Sequence, residues 1–212
     1  MILGRRYGDG SRVCEIAVLA VTSGGDVVVA GETGSSAPES AVIVLGINLS
    51  GSEVWRTFFD RPENDVVVDA ASIPWGGAVI LGVTEQFPAS GIGEGPFLAK
   101  VTDAGAVEWV SQIGNDDSSY ADIVTDSAGH TFASGNVLIP GVSTDVSILR
   151  LNPTGELAWN TVFSSAQDDT PCCVSADRGI GIGLDAEGNV YVGAVLTNVP
   201  TVLQVSNDGA VS

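Results

Sequence analysis

Lysine is nearly missing from this 212-residue chain. Lys100 is the only one, and lysine and arginine together number 8 against 26 aspartates and glutamates. A net charge of −18 repels phosphate backbones and anionic lipid, so nucleic acid and membrane surfaces are set aside as partners. Histidine is as scarce: His130 is the only one, and the three cysteines, Cys14, Cys172 and Cys173, lack metal-ligand spacing. A four-ligand zinc site would need all four residues. No apolar run approaches the roughly 18 residues of a membrane span, which argues against membrane insertion. The N-terminus, MILGRRYGDG, has three apolar residues ahead of its arginine pair. That is the wrong order for a secretion signal, so an exported native protein would have its leader outside this sequence. Helical spacing of apolar residues is not sustained anywhere.

Glycine and short apolar runs are abundant. The 27 glycines are spread along a chain that is 44% hydrophobic, which points to many turns between short strands. Three features recur in one order. The first is a glycine turn followed by a β-rich run: GGDVVVAG (24–31), GGAVILG (76–82), AGHTFASG (128–135) and EGNVYVGA (187–194). The second is a run ending in glycine: AVIVLGINLSG (41–51), PFLAKVTDAG (96–105), VSILRLNPTG (146–155) and TVLQVSNDG (201–209). The third is a tryptophan four residues after that glycine, giving Gly51 with Trp55, Gly105 with Trp109 and Gly155 with Trp159. Gly209 begins a fourth copy. A unit of about 50 residues with four strand-like runs, placed at 121–126, 131–136, 145–151 and 157–163 in the third copy, predicts one four-stranded antiparallel blade.

The expected fold is therefore all-β, a β-propeller of four four-stranded antiparallel blades. Residues 1–212 form one domain with units at about 8–59, 60–113, 114–163 and 164–212, the last completed by 1–7. Gly51, Gly105 and Gly155 are expected to close hairpins that require positive φ. Trp55, Trp109 and Trp159 are expected to cover their own sheet and wedge against the next blade. Trp75 breaks the pattern, following Pro74 in a turn where partial exposure is expected. Residues 2–7 are expected to pair with 201–206 and close the ring, which implies a monomer. The alternative is a partial propeller cut from a longer chain. A Cys14 bridge to Cys172 or Cys173 would staple such a closure across a long loop; unpaired thiols, or a vicinal Cys172–Cys173 pair, are the alternatives.

The stretches LDAEGNVYVGAV, SILRLNPTGELAWNTVF and TDSAGHTFASG resemble the tandem repeats of secreted bacterial β-propellers of the seven-bladed repeat class. They are also related in pattern to quinoprotein-like repeats. The resemblance implies a secreted or cell-surface origin and a propeller architecture. It departs at VTSGG in the first unit, at Pro74-Trp75 in the second, and in having four units. No constellation for a quinone cofactor accompanies it.

Chemistry is thinly marked. The loops between blades and between second and third strands hold twelve acids and three bases. Within that set Asp65, Asp116, Asp117, Asp168 and Asp169 are candidate ligand or cation contacts, with Ca²⁺ the cation that hard oxygen donors would suit. The competing reading is that these aspartates cap turns. A Ser–His–Asp triad would need His130, which occupies the turn position of Asn189. The expectation is a non-enzymatic binding module that meets a protein or carbohydrate on its acidic loop face. The alternatives are a hydrolase or lyase using aspartates at the channel mouth, and a structural unit of a larger surface protein.

Overall fold

Valine, isoleucine and aromatic residues in runs of seven to nine, punctuated by Gly, Asn, Asp and Ser, favour short strands joined by tight turns. The computed structural model describes residues 13–34, 41–59, 65–84, 95–115, 117–139, 144–164 and 177–211. Fifteen strands and no helix occur among them. The first sheet holds β1 (Val13–Val21), β2 (Val27–Gly34), β3 (Ala41–Ile47) and β4 (Glu53–Phe59). The second holds β5 (Val66–Ser72), β6 (Ala78–Thr84), β7 (Gly95–Val101) and β8 (Val107–Gln112). The third holds β9 (Ser118–Thr125), β10 (Thr131–Leu138), β11 (Thr144–Leu151) and β12 (Leu157–Phe163). The fourth holds β13 (Arg178–Leu184), β14 (Val190–Leu196) and β15 (Val199–Val205). Each sheet is an antiparallel meander in chain order. A single bridge, Val205 to Val211, follows the last hairpin.

The first-to-second and third-to-fourth connections share one geometry. At Thr102, for example, the backbone N–H donates to the Ala106 carbonyl (2.9 Å), and the Gly105 N–H donates back to the Thr102 carbonyl (3.0 Å). The same pair of bonds recurs around Gly25, Gly51, Gly76, Gly129, Gly155, Gly188 and Gly209. The glycine takes φ values such as 80° at Gly105 and 83° at Gly155, a left-handed conformation that a side chain would disfavour.

The first strands pack side by side in the order β1, β5, β9, β13, as blades do around an axis. Among the described strands β13 and β1 share no comparable contact, so the four sheets form a row that does not close. Residues 2–7, assigned above to closure, lie outside the described residues. So do Cys172, Cys173 and the Cys14 side chain. Three apolar layers fill the spaces between successive sheets, centred on Phe97 and Ile80, on Leu98 and Leu149, and on Phe132 and Ile148. Middle strands of the second and third sheets are largely covered on both faces, with β7 buried along its whole length, whereas β12 and the fourth sheet's β14 alternate. Blade stacking explains the near-continuous apolar runs at 41–47 and 95–101.

Candidate functional site

Every first strand carries an extra residue opposite its partner. The unpaired residue is Ala17 in β1, Val68 in β5, Ala121 in β9 and Ile180 in β13. Such a bulge bends the strand and re-aims the residues beside it. It also explains why β9 starts three residues before the run that its sequence marks. Ser118–Tyr120 pair with Val137–Gly135, but the bulge throws their in–out alternation out of phase with 121–126. The residue after the bulge is Val18, Asp69, Asp122 and Gly181 in turn, so only the two middle blades place a carboxyl there.

Those carboxyls tie neighbouring blades together. Asp69 Oδ2 accepts the Ile123 N–H of the third sheet (2.9 Å), and Asp122 Oδ2 accepts the Ile182 N–H of the fourth (2.8 Å). Glu32 Oε1, from β2, accepts the Val67 N–H (3.1 Å). The Asp69 and Asp122 side chains also bond to each other. Burial raises the Asp69 carboxyl from 3.8 to about 6, and the Asp122 carboxyl beside it adds to the rise. Two adjacent negative charges are costly in a partly desolvated setting, which favours the protonated form of Asp69. Both lie half-buried on the wall of a cleft of about 520 Å³ between β5 and β9, with Ser72, Thr125 and Ser127 along it. The Thr125 hydroxyl is bonded to the Ser72 carbonyl.

The predicted site residues fall elsewhere. Asp65 is fully buried at the entry to β5. Asp117 is exposed at the entry to β9, where its carbonyl accepts the Leu138 N–H (2.7 Å). Asp116, Asp168 and Asp169 lie outside the described residues. Among the described residues no three His, Cys, Asp or Glu side chains converge on a point that would hold a metal such as Ca²⁺. His130 Nδ1 bonds to Asp126 Oδ2 (2.8 Å) within its own turn, as Asn189 Nδ2 does to Asp185 Oδ2 (2.7 Å). Asp69 and Asp122 escaped the sequence reading. The available signal is an aspartate in the middle of an otherwise β-prone run, VVVDAAS and SYADIV, at the same place in two repeats.

The repeat tryptophans stand at the blade boundaries. The rings of Trp55, Trp109 and Trp159 lie against the turn glycines of the following blade, Gly105, Gly155 and Gly209. Trp109 Nε1 donates to the Pro153 carbonyl (3.0 Å) and Trp159 Nε1 to the Asn207 carbonyl (2.9 Å). Two residues on, the hydroxyls of Thr57, Ser111 and Thr161 donate to the carbonyls of those same glycines, at 2.7 Å for Thr161. Gly51, the first-blade counterpart, has φ 72°. Trp75 is 55% exposed, with its ring edge against Gly129 of the third blade.

No protein-family model matches the chain, and no curated protein matches it. Solved structures do resemble it. A protein from Lactobacillus plantarum aligns at 14% identity with a TM-score of 0.50, covering 93% of this chain and 69% of that one. A mutant of puromycin hydrolase complexed with PGG aligns at 14% identity with a TM-score of 0.51, covering 92% of this chain and 27% of that one. A mutant of the apocarotenoid oxygenase of Synechocystis aligns at 14% identity and 0.46, covering 92% and 48%. The chain thus spans about a quarter of the hydrolase and under half of the oxygenase. At this identity the likeness concerns the fold alone, which is propeller-like.

Proposed function

We propose that this chain is a non-enzymatic binding module, a single propeller domain of a secreted or cell-surface protein built from the bacterial repeats its sequence resembles. The ligand sits in the axial cleft beside Asp69 and Asp122, at the end where the first strands turn into the second. One observation carries this reading: both carboxyls are accessible, yet each is pinned by a bond to the next blade. Acceptors held in place before a ligand arrives lose little freedom on binding it. The cleft is acceptor-rich and lined with Ser72, Ser127 and Thr125, and its volume falls in the range of small-ligand sites. A neutral polyhydroxyl ligand such as an oligosaccharide suits that wall. Saturation-transfer NMR with cellobiose, maltose and chitobiose tests the reading. Transfer to at least one sugar, lost in the Asp69→Asn/Asp122→Asn double variant, supports it. No transfer from any of them counts against it.

A second reading has its own support. A carboxyl raised to about 6 beside another carboxylate is poised for general acid–base work near neutral pH. That favours a hydrolase with Asp69 and Asp122 as its pair, on a fold it shares with puromycin hydrolase, although a fold hosts many functions. Turnover of p-nitrophenyl glycosides or esters that Asp122→Asn abolishes would replace the binding module with this enzyme.

A further inference from the structure

The three tryptophan-bearing boundaries are not equivalent, and the difference lies opposite each indole. Across the strand pair, Trp109 faces Lys100 and Trp159 faces Arg150, but Trp55 faces Gly46. Lys100 and Arg150 fill their boundaries with the protein's own cation. Lys100 Nζ lies 5.7 Å from the Trp75 ring centroid, 3.0 Å from Glu108 Oε1 and 3.5 Å from the Pro153 carbonyl of the next blade. The Arg150 guanidinium lies 5.6 Å from the Phe132 ring centroid, and its NH1 donates to the Asn207 carbonyl of the next blade (3.1 Å). In each case an aliphatic chain ends in a cation between an aromatic face and the turn carbonyl two residues before the glycine.

The first boundary has the surroundings but not the cation. Between the first and second sheets, on the hairpin-turn side, lies a pocket of about 250 Å³ lined by Gly46, Trp55, Trp75, Asp26 and Asp103. Asp103 is the counterpart of Pro153 and Asn207, two residues before its turn glycine. The Trp55 ring lies across Gly46, close enough that a Cβ there would meet Cε2 and Nε1. Among the described residues Trp55 Nε1 has no counterpart to the bonds that Trp109 and Trp159 make. The lining holds two indoles, two carboxylates and no basic residue, Lys100 reaching only the Trp75 ring from the second boundary, so the pocket attracts a cation chiefly by its charge and by the Trp55 indole.

We propose that this pocket binds an external aliphatic chain ending in an ammonium or guanidinium group, which supplies the kind of cation that Lys100 and Arg150 bring to the other two boundaries. The site adjoins the axial cleft, sharing Ser23 with it, and Asp103, which lines only this pocket, distinguishes a ligand here from one held by Asp69 and Asp122. The chain would lie along the Trp55 ring, which covers Gly46, with its cation between Asp26 and Asp103. A basic side chain of a partner protein and a free alkylamine share this chemistry.

The test is a titration of the intact chain with n-butylammonium and n-butylguanidinium at low ionic strength, followed by tryptophan fluorescence and two-dimensional NMR. Saturable binding is expected, with n-butanol and sodium chloride at matched concentration giving none. Asp103→Asn and Trp75→Ala should each weaken it about tenfold or more, about 1.4 kcal/mol per tenfold. Gly46→Lys should abolish it, because the variant supplies its own ammonium. A Cβ at 46 requires Trp55 to move, so Asp103→Asn decides the matter if Gly46→Lys does not fold. Nα-acetyl-lysine methylamide binding at least as well as butylammonium supports a partner's side chain, and preference for the simple amine supports a free ligand. The proposal is overturned if n-butanol saturates the pocket equally, if Asp103→Asn binds unchanged, or if a folded Gly46→Lys still binds.

Discussion

Asp69 carries a proton-linked role in holding the blades together. Its carboxyl is raised from 3.8 to about 6, chiefly by burial and then by the bond to Asp122. The folded state therefore holds a proton that the unfolded chain releases at lower pH. Stability from this group falls as pH rises from about 4 through about 6, and levels off above that. The group is half-exposed, so solvent screening reduces the effect to on the order of 1 kcal/mol. Asp69→Asn keeps an acceptor for Ile123 N–H and gives Asp122 a permanent donor. Thermal melts from pH 4 to 8 should show the variant gaining a few degrees at pH 7–8 and losing the slope between 4 and 6; an unchanged slope would sink this account. Thr131 offers a second case. Its Oγ1 is fully buried with no partner among the described residues, and an unpaired buried hydroxyl costs about 1–3 kcal/mol. Thr131→Val should raise the melting temperature, as calorimetry would show. These roles were hidden in the sequence because they depend on a neighbouring strand. Asp69 meets Ile123 N–H only after a bulge whose extra residue is counted against the partner.

The recurring element is a hairpin glycine received by the preceding blade. Gly155 combines φ 83° with a Trp109 ring so near that a Cβ would lie 2.6 Å from it. Gly155→Ala is expected to cost about 2–4 kcal/mol through backbone strain and displacement of the indole, read as a lower denaturant midpoint. Ser111→Ala removes only the hydroxyl bond to the Gly155 carbonyl and should cost about 1 kcal/mol. If the two variants prove equal, the ring contact is not what makes the junction sensitive. Much of this element was legible. Strand runs ending in glycine, with tryptophan four residues later, follow from local rules of turn and strand. The serine and threonine two residues past each tryptophan were not legible, because their acceptor sits in the next repeat.

At the scale of the molecule, stability resides between sheets rather than within them. Phe132, Val146 and Ile148 of the third sheet are covered by Val190, Val192 and Leu203 of the fourth. A chain ending at residue 164 should leave that layer open. It is expected to bind a hydrophobic dye, melt earlier and self-associate, whereas a dye-silent, monomeric product would show that the third sheet needs no cover. The sequence by itself determined the all-β class, the period, the four sheets and the placing of the turns, since those depend on residues close together in the chain. Only the tertiary structure decided which residues meet across a boundary: the bulged first strands, the Asp69–Asp122 pair, and a first boundary where Gly46 stands in the register position of Lys100 and Arg150. Such meetings depend on strand register and on the angle between neighbouring sheets, which are set by packing of side chains some fifty residues apart.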